Sequence, residues 1–398
     1  NPDRDGFRSY HAHLRAGLQL APGHRLEGGV LGRDVRAQYD AFFSGGADDV
    51  SRHRLDSGWA AWAATWAPGW TSRVQAGQSD ERYRTDPQTY STRTRARTLS
   101  AQTDRRVGDS RWQLLAERRE DRLVNDDVAA DQDRRTLDGL GLGWHHRAGA
   151  LTLQAQLRQD RDSDFGSHRT GGLAAGWKLD EAWRVHASAG TAFRAPTLYQ
   201  RYSPYGNAAL DPERSRNLEL GAAWQAGDSA ASLVTWNQSV QDLIGFGDAG
   251  VCASPYGCYR NTSEATLRGL SLAGSTRWAR VNLSGTLDWL KARDDGNGKE
   301  LARRAPRSLL LRADTAVGDW TFGADLTARS ARWSDTANTV RLGGFTTVDL
   351  DARWRADRDW TVQFTLADAG DRAPETAAGY PGPGRSAFVM LRWTPPLR

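Results

Sequence analysis

No stretch of this 398-residue chain stays apolar for the roughly 18–20 residues that a membrane-crossing helix needs. Uninterrupted apolar runs are short, such as residues 59–64 and Leu309–Leu311. Methionine occurs once, at Met390, and cysteine twice, at Cys252 and Cys258. Two cysteines without further ligands beside them fall short of a metal site, and they read as a loop disulfide made in an oxidising compartment. No Ser/His/Asp grouping, glycine-rich phosphate loop or Cys/His ligand spacing is present, which argues against an enzyme. His145 and His146 stand beside a short turn, a place that suits contact with lipid headgroups better than chemistry. The net charge of +5 and the isoelectric point near 9.4 come with arginines scattered along the chain rather than clustered, and no nucleic-acid recognition motif accompanies them. The first residue is Asn1 and no charged-then-apolar leader follows it, so the chain reads as mature or shortened at its N-terminus. Mean hydropathy is −0.66, a value typical of a water-soluble protein. It is equally the value of a pore wall in which only every second residue faces lipid.

What the chain has is alternation with period 2. In 348–355 every other residue is apolar and its neighbours are mostly charged. Leu151, Leu153, Ala155 and Leu157 interleave with Thr152, Gln154, Gln156 and Arg158, and Leu218, Leu220, Ala222 and Trp224 make a similar stripe. These segments run for about 9–14 residues, near the length of a tilted strand crossing a bilayer. No stretch shows a 3.6-residue period. Tryptophan marks short turns: Trp66 and Trp70, Trp177 and Trp183, Trp354 and Trp360 each bracket one, and Trp112, Trp144, Trp224, Trp278, Trp320 and Trp393 sit in similar places. Indole joins an apolar ring to one N–H donor and prefers the lipid–water boundary. Tight connections near 21–24, 67–70, 106–110, 147–150, 179–182, 226–230, 277–280, 317–320 and 356–360 alternate with longer ones near 39–50, 84–91, 125–132, 162–167, 195–213, 245–257, 292–302, 334–342 and 369–385. Short turns on one side and long loops on the other are the pattern of a bacterial outer-membrane barrel. The expected fold is therefore all-β, a transmembrane antiparallel barrel of which about 19 strands are present. An odd number leaves the first strand descending from the outside, so about three strands are expected ahead of Asn1.

The segment Gly190-Thr191-Ala192-Phe193-Arg194-Ala195-Pro196-Thr197-Leu198-Tyr199, leading to Tyr205-Gly206-Asn207 and to residues 210–215, resembles the signature of TonB-dependent outer-membrane receptors. Tyr259-Arg260-Asn261 and Leu267-Arg268-Gly269-Leu270 resemble the next strand of that family, and the last strand, ending at Trp393, resembles its aromatic-ended insertion signal. A Thr394–Arg398 tail follows that aromatic, which departs from the pattern. Within the family, residues 1–7, 38–44, 301–306 and 341–345 are most similar to cobalamin receptors. The resemblance runs through the whole chain. It implies that residues 1–398 are the C-terminal part of a 22-strand receptor barrel, with a plug domain and TonB box lying ahead of them.

The resemblance also implies sites. Calcium would be held between two outer loops by Asn1, Asp3, Asp5, Asp40 and Asp49, with Asp48 the alternative to Asp49; calcium takes six to eight such oxygens. The spacing from Asn1 to Gly6 resembles the start of an EF-hand loop, but position 12 is Ala12, which rules against one. A corrinoid would meet Tyr39, Ala41, Tyr90, Arg303 and Ala337. The expected function is active import of cobalamin across the outer membrane, powered by TonB, in a wall surrounded by lipid and lipopolysaccharide. The rival readings are a TonB-dependent receptor for a siderophore or haem, and, of another class, a passive porin.

Overall fold

The structure, a computed structural model, describes residues 5–39, 49–87, 89–125, 132–247, 254 and 257–395. In chain order the elements are β1 (Phe7–Ala21), β2 (His24–Tyr39), β3 (Asp49–Ala67), β4 (Trp70–Asp86), β5 (Tyr90–Val107), β6 (Ser110–Asn125), β7 (Arg134–Ala148), β8 (Leu151–Asp162), β9 (Gly166–Lys178) and β10 (Trp183–Arg194). A short helix, α1 (Leu198–Tyr202), precedes β11 (Glu213–Ala226), β12 (Ser229–Gly247), β13 (Cys258–Trp278), β14 (Val281–Asp294), β15 (Arg307–Val317) and β16 (Trp320–Arg329). The chain ends with β17 (Arg332–Trp333), β18 (Arg341–Leu342), β19 (Phe345–Arg355), β20 (Trp360–Ala367) and β21 (Ser386–Trp393). Nineteen of these strands join one sheet, and β17 and β18 pair only with each other. Sequence neighbours pair antiparallel from β1 through β8, and again from β13 through β16, β19, β20 and β21. Backbone contacts divide the chain into two units, one of Asn1–Leu173, Thr191–Arg214 and Ile244–Asn261, the other of Ala174–Gly190, Ser215–Leu243 and Thr262–Arg398.

In the first unit the register lines up one apolar row across seven strands. Leu18 faces Leu26, Leu26 faces Trp62, Trp62 faces Val74, Val74 faces Ala101, Ala101 faces Ala116 and Ala116 faces Leu140. Because successive side chains point to opposite faces, every second residue of each strand joins this apolar face. Its members are open to the surroundings: Leu18 is 61% exposed, Leu140 56% and Leu157 60%. Apolar exposure repeated over seven strands belongs against hydrocarbon, not water. The other face is polar. Glu27 there takes Arg25 at 2.8 Å, Arg15 at 3.2 Å and Arg73 at 3.4 Å, and the Arg15 and Arg73 guanidiniums lie 5.6 and 5.8 Å from the Trp59 ring. Gly29 makes room for that ring, since a Cβ there would stand 2.9 Å from the indole nitrogen.

The second unit repeats the division. Leu311, Leu326 and Val348 share one row, while Arg312 on the opposite face binds Asp325 at 2.5 Å, Asp351 at 3.2 Å and Asp314 at 3.5 Å. At the turn end of each unit the tryptophans meet across strands. Trp112 lies 6.1 Å from Trp144, Trp320 is 5.8 Å from Trp354, and Trp360 is 6.0 Å from Trp393. His146 stacks on Trp144 at 5.6 Å and receives or gives a 2.9 Å bond with Ser110, so it belongs to this aromatic rim. The turns are tight. Gly23 has φ +79° and a Cβ there would stand 2.6 Å from the Thr65 carbonyl oxygen, so both backbone conformation and space require glycine.

Two expectations change. The strands exceed the 9–14 residues read from the apolar stripes: β3 and β12 have 19 and β13 has 21. The stripes stop where hydrocarbon stops, but backbone pairing continues beyond it through polar residues. The long connections are also not free of helix, because α1 makes one turn inside the 195–213 loop. A faced substitution tests the partition. Leu142→Arg lowers stability in phospholipid vesicles by about 2–4 kcal/mol, as a cation on the lipid face does. Gln156→Arg, on the opposite face, costs less than about 1 kcal/mol. Equal losses in urea unfolding would refute the assignment of faces.

Candidate ligand-binding site

At the loop end of the first unit the chain gathers aromatic side chains from five connections. The 195–213 loop is built to present them. Thr197 caps α1 by accepting the Gln200 amide at 3.0 Å, and the Gln200 side chain accepts the Thr197 amide at 2.9 Å. Arg194 clamps Glu213 through two bonds of 2.6 Å, and Glu213 also accepts the Ile244 amide at 2.8 Å. Arg135 donates to the Pro196 carbonyl at 2.5 Å and binds Asp121 at 3.0 Å, with Asp162 at 3.7 Å. Arg201 pairs with Asp164 and lies over the rings of Phe165 and Tyr202. Asn261 closes the base of the loop, accepting the Asp211 amide at 2.9 Å and donating to the Asp211 carbonyl at 3.0 Å. At Gly206 a Cβ would stand 2.6 Å from the Arg201 carbonyl carbon, so the loop folds back on α1 only with glycine there. The family-like segments 190–215 and 259–261 thus hold one another.

This frame carries Tyr199 to Tyr90, whose hydroxyl donates to the Tyr199 hydroxyl at 2.9 Å while accepting from Asn125 at 3.0 Å. Tyr83 lies 6.4 Å from Tyr90, and Tyr259 lies 6.4 Å from Tyr199. Phe246 joins the group at 5.3 Å from Tyr259 and 6.1 Å from Tyr205. Burial first, and then the Tyr90 hydroxyl, push the Tyr199 phenol above its usual range, so it stays protonated. The group offers ring faces and neutral hydroxyls, the surface that holds a planar, hydrogen-bonding small molecule.

Of the residues expected from sequence, Tyr39 and Tyr90 belong to this unit. Tyr39 ends β2 opposite Asp49, and its hydroxyl bonds Thr85. Ala41 lies outside the described residues, as do Asn1, Asp3 and Asp40. Asp5 is exposed ahead of β1, and Asp49 is 2% exposed at the start of β3. Among the described residues no three metal-ligating side chains converge. Cys258 is buried and disulfide-bonded, and Cys252 lies outside the described residues.

Arg303 and Ala337 belong to the second unit. Arg303 sits at φ +61°, its amide donates to the Trp333 carbonyl at 2.6 Å, and its guanidinium donates to the Ser334 carbonyl at 3.3 Å. It ties two loop segments together. Asn338 does the same with Glu300, by bonds of 2.8 and 2.9 Å. Ala337 is exposed at the tip between β17 and β18. Beside it, against the upward push of burial, the Val340 and Thr339 amides and the Thr339 hydroxyl hold the Asp335 carboxyl down at about 2. Sequence reading did not find Tyr83, Tyr199, Tyr205, Phe246 or Tyr259 as a site. Its one available signal was tyrosine recurring at the loop ends of several strands.

A family model described as TonB dependent receptor-like, beta-barrel, matches residues 2–367. The siderophore receptor PirA from Acinetobacter baumannii superposes with a TM-score of 0.84 at 14% identity, over 98% of this chain and 71% of that one. A point variant of the ferric enterobactin receptor PfeA from Pseudomonas aeruginosa gives 0.83 at 17% identity, over 98% and 70%. The copper transporter OprC gives 0.79 at 15% identity, over 97% and 74%. At these identities the likeness is one of fold.

The frame of the 195–213 loop makes a specific claim. Arg135→Met leaves the Asp162 carboxylate, 1% exposed, without its cation. Removing one partner of a buried pair costs about 3–5 kcal/mol. The expected result is a lower urea midpoint and faster proteolytic cleavage within 195–213; an unchanged midpoint would contradict the clamp.

Proposed function

Because the chain belongs to the family of TonB-dependent receptor-like β-barrels, we propose that its tyrosine cluster captures an iron chelate of the siderophore class for import. The protein is an outer-membrane receptor and transporter, and receptors of this family are not enzymes. The observation that carries the proposal is the group Tyr83, Tyr90, Tyr199, Tyr205 and Tyr259, framed by ion pairs at the loop end of the wall. Siderophore arms are flat or hydrogen-bonding groups around a ferric centre. Phenol rings stack on the former and neutral hydroxyls donate to the latter's oxygens. Of the solved structures quoted above, one is described as a siderophore receptor and one as a ferric enterobactin receptor, which supports an iron chelate over the cobalamin expected from sequence. The cobalamin expectation is further weakened by Arg303, whose guanidinium is engaged in holding its own loop. Cobalamin stays the second reading, through Tyr39 and Tyr90. Import would draw its energy from TonB. Calcium, on this proposal, would be held by Asn1, Asp3, Asp5, Asp40 and Asp49 and would order the first two loops.

Fluorescence titration of the full-length protein separates the two cargoes. A ferric siderophore is expected to quench saturably and to bind at least about tenfold more tightly than cyanocobalamin, a difference of about 1.4 kcal/mol. Tyr199→Ala is expected to weaken it. Tighter binding of cyanocobalamin overturns the siderophore assignment. Calcium is tested separately, by limited proteolysis and calorimetry of the same protein. Calcium should protect residues 1–7 and 39–50, and equal cleavage with and without calcium would remove it from the account.

A further inference from the structure

The arginines that look scattered in the sequence are gathered by register. On the lipid-directed face of the first unit, the apolar row described above gives way toward the loops to three cross-strand rows of arginine. Arg36 faces Arg52, and Arg52 faces Arg84. Arg54 faces Arg82, and Arg82 faces Arg93. Arg95 faces Arg122, and Arg122 faces Arg134. All nine stand on the face of Trp62, Val74 and Leu140, because each is an even number of residues along its strand from a member of that apolar row.

Directly opposed like charges destabilise a sheet. Carboxylates on the same face relieve part of this repulsion. Asp80 serves Arg82 at 2.9 Å, Arg93 at 2.5 Å and Arg95 at 3.3 Å, so one negative charge is divided among three positive ones. Asp86 is likewise shared by Arg84 at 3.1 Å and Arg52 at 3.8 Å. Among the described residues no carboxylate lies within ion-pair range of Arg36 or Arg134, and both are exposed. Asp56 takes Arg54 and Asp133 takes Arg122, each at 2.8 Å, and the positive charge left over sits on the loop side of the hydrocarbon-facing band. The opposite rim of that band carries indoles instead: Trp66, Trp70, Trp112 and Trp144.

We propose that these arginine rows are a binding site for a phosphorylated acyl glycolipid of the outer leaflet, its phosphates on the guanidiniums and its acyl chains on the apolar band. The site deepens the outer-membrane assignment and is independent of the imported cargo. Guanidinium is the side chain that pairs with phosphate bidentately, and a row of three at strand spacing fits a headgroup bearing more than one phosphate. A free phosphate would satisfy the charges but not the adjoining Leu99, Ala101 and Leu140. A soluble acidic partner would leave the same apolar band uncovered. The glycolipid satisfies both at once, which is why the rows end where the hydrocarbon begins.

The test uses the full-length protein in vesicles containing bisphosphorylated lipid A, dephosphorylated lipid A or phosphatidylglycerol, with inorganic phosphate as a further arm. Bisphosphorylated lipid A is expected to raise the melting temperature and to co-purify in native mass spectra. Dephosphorylated lipid A and inorganic phosphate are expected to do neither, and phosphatidylglycerol to act more weakly. The triple variant Arg52→Gln, Arg82→Gln, Arg122→Gln removes the centre of each row. It should bind bisphosphorylated lipid A about tenfold more weakly, and in dephosphorylated lipid it should be as stable as the parent or more so. Arg33→Gln, a charge removed from the polar face of β2, should change neither. Equal stabilisation by the two lipid A forms, an unchanged affinity in the folded triple variant, or an equal loss in Arg33→Gln would each overturn the site. Cargo binding is measured in none of these arms, so their failure leaves the transport reading untouched.

Discussion

Hydrocarbon offers a peptide group no water to bond to, and the structure answers that constraint before any other. Within the apolar band each strand finds its N–H and C=O partners on its neighbours, in antiparallel register from β1 to β8 that shifts only beside two turns, at Gln19/Ala21 and Thr65/Ala67. Once pairing is fixed, alternation is fixed too, and a slip of one residue would turn every leucine of a strand toward the polar side. The polar face then needs its own internal satisfaction. Clusters such as Glu27 with three arginines and Arg312 with three aspartates provide it.

The two rims of the apolar band have different chemistry because they meet different surroundings. Turn-side connections are short, so little besides the strand ends is available, and indoles fill the boundary there. Loop-side connections are long and the strands continue past the band, which leaves room for ion pairs, for α1 and for the tyrosine cluster. The ion pairs Arg135–Asp162 and Arg194–Glu213 convert a long connection into a fixed platform. The tyrosine cluster proposed to capture ligand and the apolar wall are therefore carried on separate faces of the same strands.

The period of the fold was legible because it is local. Leu151 to Leu157 alternates within one strand, and Trp66 and Trp70 mark a turn within five residues. The nine tight turns and the last strand follow from such signals. Strand length was not legible, since pairing in β13 outlasts its apolar stripe by backbone bonding that leaves no mark on composition. The helix α1 was missed because five residues are too few to establish a 3.6-residue period; only its Thr197 and Gln200 capping pair could have signalled it. The tyrosine cluster was hidden because it joins residues as distant as Tyr90 and Tyr199, 109 positions apart. The arginine rows were hidden for the same reason: Arg54, Arg82 and Arg93 look dispersed until the register sets them side by side.

Every other feature depends on adjacent residues of a strand facing lipid and water in turn. This alternation is tested most directly by a nitroxide scan along β7 in lipid vesicles, one label at a time from 138 to 145, with the native cysteines replaced by serine. Oxygen accessibility should peak at Leu140, Leu142 and Trp144 and fall at Gly139, Gly141 and Gly143, with a polar nickel relaxant showing the opposite pattern. A period near 3.6 residues, or the same accessibility at every position, would contradict it.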